Sequence, residues 1–97
     1  MSYSIQYLPT VRQDVADIKA YMTQFYESTF TSFMTRFERS VDNLVELPYI
    51  GVAYKDYRRL VVGDYLVFYQ VNETKRIVQI HRILHGAQDL PTPQTTP

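Results

Sequence analysis

Tyr57-Arg58-Arg59-Leu60-Val61-Val62-Gly63-Asp64-Tyr65-Leu66-Val67-Phe68-Tyr69 decides the fold of this 97-residue chain. It holds two runs of β-branched and aromatic residues, the composition that suits a pleated, half-buried surface. Gly63-Asp64 between them is a two-residue hairpin turn of the Gly-first kind. Arg76 to Leu84 has the same composition, and Asn72-Glu73-Thr74-Lys75 connects it to the hairpin. The second half of the chain therefore reads as a three-stranded antiparallel meander. Leu66, Val67 and Phe68 are consecutive, so both faces of the middle strand carry apolar side chains.

Upstream of the hairpin the periodicity is helical. Val11, Val15, Ile18, Met22 and Phe25 form one stripe, with Arg12, Asp14, Asp17 and Lys19 off it. Thr10 reads as its N-cap, with Gln13 three residues on completing a capping box. The Ser- and Thr-rich run from Glu27 to Thr31 reads as a break. Phe30, Phe33, Phe37, Val41 and Leu44 make a second stripe, widened by Met34 and Val45. Pro48 ends it, because the residue before a proline avoids the α region. Tyr3 to Leu8 alternates as a short strand, and Tyr49 to Asp56, containing Gly51, reads as a loop. The fold class is α+β: an N-terminal strand, a helical hairpin, then the meander. One hairpin of helices covers one face of a sheet, so the other face is left for a partner or for loop 48–56.

Length and composition give one domain over 1–90 and a Pro/Thr tail over 91–97, expected to be disordered. Zero Cys removes disulfides, thiol catalysis and Cys-ligated zinc, and suits a reducing cytoplasm. No apolar run is long enough to span a membrane, and Met1-Ser2-Tyr3-Ser4 opens no signal peptide. Net charge is zero but unevenly spread. Residues 1–54 carry four basic and six acidic residues, a net −2. Residues 55–86 carry six basic and three acidic residues, a net +3, which could face a polyanion or merely be a solvated surface.

Two segments resemble a known family. Tyr57 to Tyr69 resembles the Arg-x-x-x-x-Gly-x-Tyr-x-x-x-Tyr hairpin of RelE/ParE toxins. Arg82-Ile83-Leu84-His85-Gly86-Ala87-Gln88-Asp89 resembles the closing strand, which ParE-like members often write Arg-x-x-His-Gly-x-Arg-Asp. The resemblance covers about residues 3–90 and implies a RelE/ParE-like two-layer fold. It also implies the toxin of a type II toxin–antitoxin pair, held in a hetero-oligomer by its antitoxin. The RelE branch cuts messenger RNA on the ribosome; the ParE branch inhibits DNA gyrase. A non-toxic remnant that only binds antitoxin is the remaining alternative. No metal or organic cofactor is implied.

RNA cleavage by the 2′-OH needs an acid and a base, and cations on the phosphate. The candidates are His85 for proton transfer and Arg82, Arg59 and Arg58 for the phosphate, since Arg forks onto phosphate and stays charged. Tyr57, Tyr65 and Lys55 are the candidates for contacting substrate. Tyr65 and Tyr69 read equally as core. Strand alternation puts Arg58 and Arg59 on opposite faces. It also gives Arg82 and His85 opposite parity, so they converge only if the last strand bends near Gly86. His81 shares parity with Ile77 and Ile83 and reads as a packing residue. Gln88 where relatives carry Arg, a neutral net charge and no Tyr after Tyr69 are departures from the nuclease pattern.

Overall fold

The computed structural model describes residues 2–86. The elements are β1 (Ser4–Tyr7), α1 (Pro9–Met22), α2 (Glu27–Glu46), β2 (Val52–Tyr54), β3 (Tyr57–Val62), β4 (Tyr65–Asn72) and β5 (Ile77–His85). The strands form one sheet in the order β1-β5-β4-β3-β2. β1 runs parallel to β5, and the other neighbours are antiparallel. The meander and the helical hairpin stand as the sequence predicts. Gly63 takes φ 61 while Asp64 stays at negative φ, the arrangement of a type II′ turn.

Both helices pack on one sheet face. Val11 and Ile18 of α1 and Phe33, Phe37, Val41 and Leu44 of α2 enclose a core with Val62, Val67, Tyr69, Val78, Ile80 and Ile83. β4 and β5 contribute alternate residues, as their pleat requires. On β5 the alternation breaks once. Ile80 pairs with Tyr69 and Arg82 pairs with Phe68, so His81 is an extra residue opposite no partner, a β-bulge. The bulge resets the phase of the strand and lets both Ile80 and Ile83 face the helices. His81 therefore does not share a face with Ile83, contrary to simple parity; it packs against Tyr57 on the other side.

Five local expectations are corrected. Thr10 is not an N-cap. The helix begins at Pro9 with Leu8 in the cap position and no side-chain cap. The Thr10 hydroxyl instead donates to the His81 carbonyl at 3.0 Å, and Gln13 bonds Asp17 rather than closing a capping box. The break between helices lies at 23–26, and Glu27 to Thr31 is the first part of α2. An acidic residue and hydroxyl side chains suit a first helical turn, where they compensate free N–H groups. Phe25 falls in that break and is exposed rather than on the stripe. Within 49–56 the chain forms β2, so the sheet has five strands and not four. Asp14, off the apolar stripe, is buried. The tail over 91–97 and Gln88 lie outside the described residues. Among the described residues no helix is long and apolar enough to cross a membrane.

The face away from the helices is sealed only in part. Phe68 and Leu84 are buried there beneath Tyr54, Tyr57 and Leu66. Tyr54 and Tyr57 approach Phe68 at ring-centroid distances of 5.6 and 6.4 Å. Strand side chains form this cover, and segment 48–56 contributes one of them, Tyr54 of β2. Toward β2 it gives out, and Val52 and Val61 stay 64% and 69% exposed.

Candidate functional site

β1 ends at Tyr7, opposite Ile80, so the outer edge of β5 has no strand beside it from His81 onward. Helix α1 takes that place with polar side chains. The Leu8 N–H donates to the Ile80 carbonyl, and Thr10 donates to the His81 carbonyl. Asp14 accepts the Ile83 N–H at 2.9 Å. One turn of helix thus satisfies the backbone that a longer β1 would have paired.

Asp14 also holds Arg82. The guanidinium Nε donates to Oδ2 at 2.9 Å and Nη2 donates to Oδ1 at 3.0 Å, a bidentate pair. The Arg82 side chain is 30% exposed and that of Asp14 8%. Hydrogen bonding to Asp14 pushes the Arg82 guanidinium above its ordinary pKa, against the opposing effect of desolvation. A fork closed on one carboxylate has little left for a phosphate.

Between α1 and the end of β5 lies a cleft of about 440 Å³. Asp17, Ile18 and Tyr21 line one wall; Tyr65, Arg82 and His85 line the other. Arg82 pairs with Phe68 and His85 with Tyr65, on opposite faces, as alternation predicts. Both nevertheless line the same cleft. The His85 ring meets Tyr65 edge-on at 5.3 Å. Tyr65 is buried, with Phe33 at 5.2 Å, and burial followed by the nearby Tyr21 and Asp64 pushes its hydroxyl pKa up. It serves the core.

The other candidates are elsewhere. Arg58 points to the helix side and donates to the Gly51 carbonyl at 2.8 Å and the Tyr49 carbonyl at 3.3 Å, with its guanidinium over the Tyr49 ring. It pins the loop after α2. Arg59, cross-strand from Phe68, faces the uncovered side. Its guanidinium lies 5.1 Å from the Tyr54 ring centre, and Lys55 Nζ lies 5.6 Å from the same ring. Tyr57 is half-buried against Phe68 and His81. The His81 Nε2 is buried with no hydrogen-bond partner, and burial lowers the His81 pKa below 6.5.

The arrangement therefore gathers Arg82, His85 and Tyr65 at the cleft, and Arg59, Lys55 and Tyr57 on the uncovered face. Arg58 joins neither. The residue that sequence reasoning missed is Asp14. Its one available signal was an acidic side chain three residues after Val11 and four before Ile18, at the border of the apolar stripe rather than opposite it.

Among proteins of known family, the family model for the ParE toxin of the type II toxin–antitoxin system parDE matches residues 5–90. The chain is similar to one from the chromosomal ParDE toxin–antitoxin system of P. aeruginosa: TM-score 0.71, 14% identity, 86% of this chain and 95% of that chain. It is also similar to a chain of the RelBE2 toxin–antitoxin complex of Mycobacterium tuberculosis. There the TM-score is 0.60 and the identity 17%, with 88% of this chain and 99% of that chain covered. For a chain of the archaeal RelE–RelB complex of Pyrococcus horikoshii OT3 the TM-score is 0.60 and the identity 19%. The coverage is 92% and 100%. At these identities the likeness speaks for the fold. No curated protein matches the chain.

Proposed function

Because this chain belongs to the ParE toxin family of type II toxin–antitoxin systems, we propose that it arrests growth by binding DNA gyrase rather than by cutting RNA. A cognate antitoxin would hold it inactive in a hetero-oligomer. The observation that carries this reading is the closure of Arg82 on Asp14. A ribonuclease must aim several cations and a proton-transfer group at one phosphate. Here Arg82 is engaged by a carboxylate, Arg58 is bonded to loop carbonyls, and Arg59 lies on the face away from the helices. His85 borders the cleft with its ring against Tyr65 and with the engaged Arg82 on the same wall. That pattern suits a binding protein, whose surface needs complementarity and not convergent acid–base chemistry.

The test is expression without antitoxin while incorporation of labelled thymidine and methionine is followed. DNA synthesis stopping first, with loss of supercoiling by purified gyrase on adding the protein, is the expected result. Protein synthesis stopping first, with cleaved messenger RNA, would replace this reading with cleavage. Unchanged growth would leave a remnant that binds antitoxin.

A further inference from the structure

The uncovered sheet face sets Arg59, with Lys55 near it, among exposed apolar side chains. Val52 is the cross-strand partner of Arg59, Val61 lies two residues further along β3, and Leu66 pairs with Val61. Val52 and Val61 are mostly exposed, which a solvated face has no reason to retain as a cluster. Arg59 and Lys55 both lie over the ring of Tyr54, so two positive charges share one small area. Neither forms an ion pair with a described residue; the ion pair found among those residues is Arg82 with Asp14. No other strand pairs with β2 outside β3 among the described residues, so a partner can approach from that edge.

We propose that this face takes an amphipathic segment of the antitoxin. In that segment a carboxylate, flanked by aliphatic side chains, meets Arg59 between Val52, Val61 and Leu66. The proposal rests on the toxin–antitoxin reading for the identity of its occupant. The charge of the site selects an acid. The apolar frame selects a peptide over a nucleic acid. A single-stranded RNA would need open aromatic faces to stack on. Tyr54 already has Arg59 and Lys55 over its ring, and Tyr57 is taken up by Phe68 and His81. Burying Val52, Val61 and Leu66 supplies affinity, while the ion pair fixes register and rejects basic segments.

The experiment is selection of a random peptide library on the purified full chain, followed by anisotropy measurements with the enriched peptide. The expected consensus is Asp or Glu flanked by Leu, Ile, Val or Phe. Arg59→Glu should weaken its binding by about tenfold or more. It should also restore binding of the peptide whose acid is replaced by Lys. Arg59→Lys should keep most of the affinity, and Val61→Asp should lose it. Circular dichroism verifies folding, and Arg59→Gln replaces the Glu variant if that one does not fold. A consensus without an acid, affinity indifferent to Arg59 and Val61, or Arg59-dependent displacement of the peptide by single-stranded RNA overturns the proposal. Growth arrest is read separately. Acidic peptides on a protein that arrests nothing would leave the surface standing and remove the toxin reading; arrest without an acidic consensus would do the reverse.

Discussion

Asp14 and Arg82 are 68 residues apart and meet in a bidentate pair whose carboxylate also accepts the Ile83 N–H. This contact fastens α1 to the strand edge that β1 leaves unpaired. Asp14→Ala removes three hydrogen bonds and strands a backbone N–H, so it should cost about 2–4 kcal/mol, less than a fully buried pair because Arg82 is partly exposed. Asp14→Asn keeps an acceptor for Ile83 and should cost less. Urea unfolding of the two variants checks the order; equal losses would mean that the backbone bond contributes nothing.

The Tyr69 hydroxyl is fully buried, donates to the Pro48 carbonyl at 2.8 Å and accepts the Gly51 N–H at 2.9 Å. Tyr69→Phe leaves both groups without a partner and should cost about 2 kcal/mol, with little change in volume. A melting temperature unchanged within error would contradict this.

Gly51 and Gly63 should respond differently to alanine. A Cβ on Gly51 would come within 2.6 Å of the Tyr69 hydroxyl and 2.8 Å of the Arg59 carbonyl, so Gly51→Ala must displace backbone. Gly63 has room, its nearest neighbour being Arg36 at 3.5 Å, but its φ of 61 strains any L side chain. Gly63→Ala should cost about 1 kcal/mol, and Gly51→Ala clearly more. Thermal melts of the pair decide it.

His81 sets an acid limit on stability. Its folded pKa lies below the unfolded value because burial disfavours the cation. As pH falls below about 6.5, the unfolded chain binds a proton that the folded chain resists, so stability declines. His81→Phe should flatten the melting temperature between pH 7.5 and 5 and, by removing an orphaned buried nitrogen, should not destabilise the protein at neutral pH. An unchanged pH profile in the variant would exclude His81 as the source.

Much of this fold was legible because apolar spacing records which side chains meet the core. The α2 stripe and the bounds of β3 follow from it directly. What was not legible depends on partners far along the chain. Thr10 and Gln13 satisfy a local capping pattern, yet Thr10 bonds to residue 81 instead. Asp14 reads as solvated until β5 is beside it. The bulge at His81 hides because strict alternation and a one-residue reset look alike until Ile80 and Ile83 are both seen inside. The opposite facing of Arg58 and Arg59 was readable from parity alone. The closure of Arg82 was not, since the sequence does not state what its fork will meet.

The parallel pairing of β1 with β5 joins Ser4 to Ile77 and Tyr7 to Ile80. The first strand synthesised is therefore held by the last. A nascent chain halted before residue 77 has its helices and hairpin, but nothing to receive its N-terminus. Contacts of such sequence separation are slow to form, because a long loop must close before they repay it. Full assembly thus waits until β5 has been made, and a chain terminated before it lacks the strand that unites the two halves.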